Sequence, residues 1–145
     1  MTKIEFEREV SFTPTQMFDL VSDLAKYPDF VPNCSDMTLT DLPGEGKCLA
    51  DMHVSFGPIS QAYESEVHAD RADMSVTAIS EEDPFSYLES VWKFTETEGG
   101  AHIEFSVDFA MRNRLIAAIA EPLFTEKQRE VVDAFIERAG QLYKS

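Results

Sequence analysis

The sequence predicts an α+β fold in which a strongly curved antiparallel sheet of seven strands wraps around one long C-terminal helix. Three observations lead to this prediction. The chain opens on an alternating strand pattern, the stretch 33–111 contains six strand-length segments separated by turn residues, and Arg112–Ser145 carries apolar residues at helical spacing. A sheet with one apolar face must cover that face, and the terminal helix is the element available to cover it. We expect one domain over residues 1–145.

The predicted strands alternate between apolar and polar residues, and the connections between most of them are short enough for antiparallel hairpins. The connections contain turn residues such as Pro43-Gly44, Gly57-Pro58 and Gly99-Gly100. The strands are expected at Lys3–Ser11, Ser35–Leu42, Lys47–Phe56, Ile59–Asp70, Met74–Ser80, Phe85–Thr97 and Ala101–Met111.

A short helix is expected after the first strand. Thr13 suits the N-cap position, Pro14 the first helical position, and Gln16 completes a capping box. The helix should end near Lys26, because the residue before a proline is pushed away from helical geometry. The segment 27–32 is apolar and bracketed by prolines. We expect it to pack under this helix or at the mouth of a cavity.

The terminal helix carries two apolar stretches. Leu115, Ile116, Ile119 and Leu123 are predicted to share one face, and the apolar arc continues towards the C-terminus. Pro122 removes one backbone donor inside this helix. It predicts either a simple kink or a hinge that lets the helix swing to admit a ligand.

The net charge of −15 is unevenly distributed. Residues 1–111 hold 6 Lys and Arg against 22 Asp and Glu, whereas residues 112–145 hold 6 against 5. The acidic part would repel a phosphate backbone, so we expect no direct DNA binding, and strong adsorption to an anionic membrane is disfavoured. The N-terminus shows no secretory pattern and no apolar run is long enough to span a bilayer, which predicts a cytoplasmic protein with reduced thiols at Cys34 and Cys48.

The sequence offers no recognisable catalytic or metal-binding arrangement. His53, His68 and His102 fall on predicted outward strand positions without metal-ligand spacing, and no inward carboxylate stands out. We therefore expect no catalytic residue and no metal.

The predicted inner face is rich in aromatic and methionine side chains. These side chains either pack as an ordinary core or line an apolar cavity between the sheet and the terminal helix. The expected lining is Met52, Val54, Phe56, Tyr63, Val67, Met74, Val76, Trp92, Phe94, Phe105, Val107, Phe109, Ile119, Leu123, Val131 and Phe135, with Ser65 and Ser90 as possible polar anchors.

Four segments resemble the coenzyme Q-binding and polyketide cyclase-like branch of the START-like, helix-grip superfamily. They are DLAKYPDFVPNC at Asp23–Cys34, FSYLESVWKF at Phe85–Phe94, HIEFSVDFAMRNRL at His102–Leu115 and VVDAFIERAGQLY at Val131–Tyr143. The branch includes mitochondrial coenzyme Q-binding proteins and RatA-type ribosome-association toxins. The resemblance implies a helix-grip fold and a lipophilic ligand, ubiquinone or a related isoprenoid quinone, in a tunnel between the sheet and the terminal helix.

The resemblance leaves three functions open. The first is a bacterial, non-enzymatic carrier that has no covalent cofactor and supports respiration or quinone biosynthesis. Such a carrier would contact a membrane or a respiratory complex transiently, and it would be located in the cytoplasm or at the inner membrane. The second is a RatA-like toxin whose partner is the ribosome. The third is a small cyclase or hydrolase.

Overall fold

The structure is a computed structural model that describes residues 2–56 and 59–143, except the side chains of Phe56 and Ile59. In chain order its elements are β1 (Thr2–Val10), α1 (Pro14–Ser22), a 3₁₀ helix (Leu24–Asp29), β2 (Cys34–Asp41), β3 (Lys47–Phe56), β4 (Ile59–Asp70), β5 (Ser75–Ser80), β6 (Phe85–Thr97), β7 (Gly100–Met111) and α2 (Arg114–Leu142).

The seven strands form one antiparallel sheet in the order β1-β7-β6-β5-β4-β3-β2. The chain therefore runs along neighbouring strands from β2 to β7, and β1 adds to the far edge beside β7. The predicted strands are confirmed, with ends that differ by one residue or less. The predicted Gly57-Pro58 turn lies outside the described residues.

The long helix lies in the concave face of the sheet. Helix α2 contacts β1 at one edge, the neighbouring β7, and β3 towards the other edge, so the sheet curls around it. Its buried residues are Ala120, Phe124, Val132, Phe135 and Ala139, at the spacing of one helix face. This arrangement confirms the predicted grip of the helix by the sheet.

Both helices begin where the sequence indicates a cap. Thr13 Oγ1 accepts the backbone N–H of Gln16 at 3.1 Å, and Gln16 Oε1 accepts the N–H of Thr13 at 2.9 Å, which confirms the capping box. Asn113 Oδ1 accepts the N–H groups of Leu115 and Ile116 at 2.9 and 3.1 Å. Helix α2 therefore starts at Arg114, two residues later than predicted.

The first helix is shorter than predicted. It ends at Ser22, and the expected compact turn is partly a 3₁₀ helix over Leu24–Asp29. Tight i to i+3 bonds accommodate this change of geometry, and Pro28, which has no N–H, fits inside the 3₁₀ segment. The hydroxyl of Tyr27 donates to the Val21 carbonyl, which fastens this segment back against α1.

Helix α2 continues through Pro122 as far as Leu142. Pro122 is exposed, and its role as a hinge stays a prediction. No helix in the described part of the chain is both long and apolar enough to cross a membrane.

Candidate functional site

A cavity of about 140 Å³ lies between the concave face of the sheet and α2. Strands β3 to β7 supply one wall, because alternate residues of each strand point to the same face. Helix α2 supplies the opposite wall through Phe124, Val131 and Phe135, with Lys127 and Gln128 beside them.

Many residues predicted for the cavity lie on its wall. Trp92 is opposite Val76 on one side and Phe105 on the other, and Met52 is opposite Tyr63, so the inward rows cross several strands. Their role in binding a ligand stays a prediction. The predicted residues that line the cavity are Met52, Val54, Tyr63, Ser65, Val67, Val76, Ser90, Trp92, Phe105, Val107, Val131 and Phe135.

Three predicted lining residues lie elsewhere. Phe94 is buried behind the wall, where its ring stacks on Trp92, and Phe109 is buried against Phe124. Met74 precedes β5 with a positive φ of 51°, and its carbonyl accepts the N–H of Phe94. Placing these three on the cavity wall was wrong, because Phe94 and Phe109 pack against other rings in the core and Met74 lies before β5 begins. The predicted side-chain position of Phe56 lies outside the described residues.

Two further residues, Ile119 and Leu123, were assigned to the wrong side of α2. Ile119 is 61 % exposed and Leu123 is 39 % exposed, so neither lines the cavity. The side chains at the helix positions one residue further along the chain form a second stripe, and this stripe, in which Ala120 and Phe124 are buried, faces the sheet instead. Both stripes have a four-residue spacing, and the small side chain of Ala120 suits a close approach to the sheet.

Sequence reasoning missed much of the wall that precedes β3. The apolar segment between two prolines was expected under α1 or at a cavity mouth, and Tyr27 and Val31 confirm that expectation. Nothing in the strand pattern indicated that the start of β2 would join them. Besides Tyr27 and Val31, the lining residues that the predicted lining set did not include are Leu24, Pro32, Asn33, Cys34, Met37, Ala50, Ala78, Leu88, Phe124, Lys127 and Gln128.

A cluster of aromatic rings joins α2 to the sheet beside the cavity. The ring of Phe135 meets the rings of Trp92, Tyr27 and Phe30 edge to face, with centroids 5.0, 5.1 and 5.0 Å apart. Trp92 in turn stacks on Phe105 at 4.1 Å. Such contacts are favourable beyond the burial of area, so they fasten α2 to the sheet and to the 3₁₀ segment beside the cavity.

The two buried tyrosine side chains at the cavity differ in their hydrogen bonds. Tyr27 donates to the Val21 carbonyl. Tyr63 is 5 % exposed, and its hydroxyl has no hydrogen-bond partner within residues 2–56 and 59–143. Burial raises the pKa of both phenols, so both remain neutral donors at physiological pH. Ser65 and Ser90 also present hydroxyls to the cavity without a partner in the same part of the chain.

The other polar groups at the cavity offer little acid–base chemistry. Burial raises the pKa of the Cys34 thiol to about 11, so the thiol stays protonated. Lys127 Nζ lies 3.2 Å from a carboxylate oxygen of Glu130 on its own helix. The lining described by the structure includes no Asp, Glu or His side chain.

The most crowded polar cluster lies away from the cavity, on the outer face of β1 and β7. His102 Nδ1 faces Glu9, and His102 Nε2 lies 3.0 Å from Glu7 Oε1 and 3.8 Å from Glu104 Oε1. The hydrogen bond that His102 donates to Glu9 raises the pKa of His102 despite some desolvation, and the hydrogen bond that it donates to Glu7 adds to the rise. Glu7, His102 and Glu104 could present ligand atoms to one cation. The predicted absence of a metal stays a prediction.

A curved antiparallel sheet that grips a long helix beside an apolar cavity defines the START-like, helix-grip class. A START superfamily protein from Mycobacterium smegmatis superposes with a TM-score of 0.83 at 15 % identity, over 97 % of this chain and 98 % of that one, which shows the shared fold. Sequence comparison is more specific: the chain belongs to the family described as "Polyketide cyclase / dehydrase and lipid transport", whose model matches residues 10–136.

Curated relatives of the chain carry different kinds of name. The Ribosome association toxin RatA of Pseudomonas aeruginosa is 32 % identical over 98 % of both chains. The mitochondrial Coenzyme Q-binding protein COQ10 homolog B of Xenopus laevis is 28 % identical over 97 % of this chain and 60 % of its own length. The chain is therefore similar both to a protein named for coenzyme Q binding and to proteins named for ribosome association.

Proposed function

We propose that the protein binds a lipophilic small molecule, ubiquinone or a related isoprenoid quinone, in the cavity between the sheet and α2. The observation that carries this proposal is the cavity itself: apolar and aromatic side chains surround a space that packing leaves unfilled. Protein interiors are normally close-packed, and apolar pockets with a few polar groups are the usual form of small-molecule sites. The relative named for coenzyme Q binding supports the choice of ligand.

The cavity size limits how much of such a ligand is enclosed. An apolar cavity of about 150 Å³ accommodates a molecule the size of benzene. The 140 Å³ space is therefore suited to one ring. The exposed Asn33 and the half-buried Lys127 and Gln128 mark its polar mouth. A long isoprenoid tail would leave through this mouth, or the cavity would widen around it.

The composition of the wall favours binding without catalysis. General acid–base chemistry needs a group that gains and loses a proton near neutral pH. The tyrosine and cysteine groups at the wall have raised pKa values instead. We therefore propose a carrier that supports respiration or quinone biosynthesis and meets a membrane or respiratory complex transiently to exchange its ligand.

A matched pair of variants, each with one alanine replaced by leucine, tests this function. Ala50→Leu places a larger side chain on the cavity wall, whereas Ala62→Leu places the same side chain on the opposite face of neighbouring β4. Mass spectrometry of lipids extracted from the purified protein should detect a quinone in the unchanged protein and in Ala62→Leu, but much less in Ala50→Leu. Absence of any lipid, together with no binding of added decylubiquinone, would contradict the proposal.

Ribosome association is a second candidate, favoured by the identity to RatA proteins over nearly the whole chain. The surface available for such a contact includes the exposed side chains of Leu115, Ile119 and Leu123, in the least acidic part of the sequence. Sedimentation of ribosomes with added protein should show a changed balance of subunits and whole ribosomes. The change should survive in Ala50→Leu and disappear in Leu115→Ser/Ile119→Ser; an unchanged sedimentation profile rejects this function.

A further inference from the structure

We infer that Tyr63 and Ser65 recognise the polar end of the ligand, and that this end is a neutral ring bearing hydrogen-bond acceptor oxygens. The inference rests on the proposed function and adds the two side chains that recognise the polar end of the ligand. It starts from two hydroxyls whose hydrogen-bonding capacity the described protein leaves unused.

Unused buried hydroxyls are unusual. Tyr63 is 5 % and Ser65 8 % exposed, both line the cavity, and neither hydroxyl has a partner in the described ranges. Polar side-chain atoms inside folded proteins normally have a hydrogen-bond partner. Both hydroxyls border space that a water-sized group can reach, since Arg138 Nε is the one fully enclosed side-chain N or O atom without a partner in the described ranges. Tyr27, at the same cavity, follows the rule by donating to Val21. The hydroxyls of Tyr63 and Ser65 are thus free to bond a cavity occupant.

Strand geometry directs the two hydroxyls to one ligand. Tyr63 and Ser65 are separated by one residue on β4, so their side chains point to the same face with Cα atoms about 7 Å apart. Their partners across β3 are Met52 and Ala50, which carry no competing polar group. A single ring in the 140 Å³ cavity lies within reach of both positions.

The chemistry of these groups indicates a neutral acceptor. The Tyr63 phenol stays protonated, because its burial raises its pKa, and therefore offers an O–H donor at every physiological pH. A buried anion would require a compensating cation. Lys127, the basic side chain at the wall, already lies beside Glu130. Carbonyl oxygens on a ring satisfy both donors without adding charge.

Three ring compounds of similar shape separate the possibilities. Duroquinone carries two carbonyl oxygens, durene has no oxygen, and 2,4,5-trimethylbenzoate carries a carboxylate on a comparable ring. Binding of each is followed by the NMR shifts of backbone amides. The unchanged protein should bind duroquinone about tenfold more tightly than durene, as expected for one or two net hydrogen bonds, and the benzoate most weakly.

Substitutions then assign the preference to the two hydroxyls. Tyr63→Phe and Ser65→Ala should each weaken duroquinone binding several-fold and leave durene binding unchanged. The control is Tyr87→Phe, which removes a phenol hydroxyl from a tyrosine of β6 that does not line the cavity, and it should leave both affinities unchanged. Tyr63→Phe should change the stability of the protein little, since it removes no hydrogen bond within the described protein.

The results also separate this inference from the proposed function. Equal binding of duroquinone and durene, unaffected by Tyr63→Phe and Ser65→Ala, overturns the donor roles but leaves an apolar ligand site. Tightest binding of the benzoate overturns the neutral class. Failure of the unchanged protein to bind any of the three compounds or decylubiquinone contradicts the proposed function, and the inference with it.

Discussion

Replacing Phe135 by alanine removes the ring at which α2, the 3₁₀ segment and the sheet meet. Phe135 is 1 % exposed, and its ring contacts Trp92, Tyr27 and Phe30 edge to face at about 5 Å. It also borders the cavity, so its removal would enlarge an existing space. Neighbouring groups cannot readily close a space that wide, because Trp92 is held on β6, and Tyr27 and Phe30 are held in and directly after the 3₁₀ helix.

The size of the effect follows from these contacts. Truncating a buried phenylalanine to alanine costs about 3–5 kcal/mol, and loss of several aromatic pairs places Phe135→Ala near about 4 kcal/mol. For a chain of this length, each kcal/mol lowers Tm by roughly 3 °C, so a fall of about 10–15 °C is expected. Phe135→Leu keeps most of the apolar volume and should cost about 1–2 kcal/mol.

Guanidinium unfolding followed by circular dichroism measures both variants. Phe135→Ala should shift the midpoint with a nearly constant m value, and Phe135→Leu should lie between it and the unchanged protein. A loss below about 1.5 kcal/mol for Phe135→Ala would refute the view that this ring fastens α2 to the cavity wall.

Three further predictions address the outer face, the first cap and the buried thiol. Because Glu9 and Glu7 raise the folded-state pKa of His102, the stabilisation from its protonated ring is complete below about pH 6.5 and is lost as pH rises through the raised pKa. Unfolding midpoints at pH 6 and pH 8.5 should show this loss, and His102→Gln should abolish it; a pH effect unchanged in that variant contradicts the assignment. Thr13→Ala breaks the capping box and should cost about 1 kcal/mol in thermal unfolding, whereas no change would show that α1 needs no cap. Cys34, with a pKa of about 11, should react with a disulfide reagent far more slowly in the folded than in the denatured protein, and equal rates would contradict its burial.

The strands were predictable because their period of two persists over many residues. Within β7, for example, Ile103, Phe105 and Val107 are buried while the side chains between them are more exposed. The capping box at Thr13 was also visible, because it depends on residues three positions apart. Local patterns of this kind predict where a strand or a helix cap lies without any knowledge of the tertiary fold.

The inward face of α2 could not be predicted from the sequence, because two adjacent stripes share the same spacing. Leu115, Ile119 and Leu123 form the more apolar stripe, yet Ala120 and Phe124 face the sheet. Which stripe is buried depends on how closely the curved sheet approaches the helix, a property of the whole fold. The more apolar stripe remains exposed.

The polar character of the cavity was also hidden from sequence patterns. Tyr27 and Tyr63 look alike as isolated aromatic residues in apolar segments. Only the folding back of the 3₁₀ segment brings the Tyr27 hydroxyl to the Val21 carbonyl, while Tyr63 on β4 is left facing the cavity. The difference arises from tertiary contacts and not from local sequence.

Mapping of decylubiquinone binding by NMR tests the central claim most directly. Addition of the compound should shift the amide signals of cavity residues such as Ala50, Tyr63, Ser65 and Trp92, and Ala50→Leu should abolish those shifts. Shifts confined to the exposed stripe at Leu115 and Ile119, or no shifts at all, would contradict a ligand site between the sheet and α2.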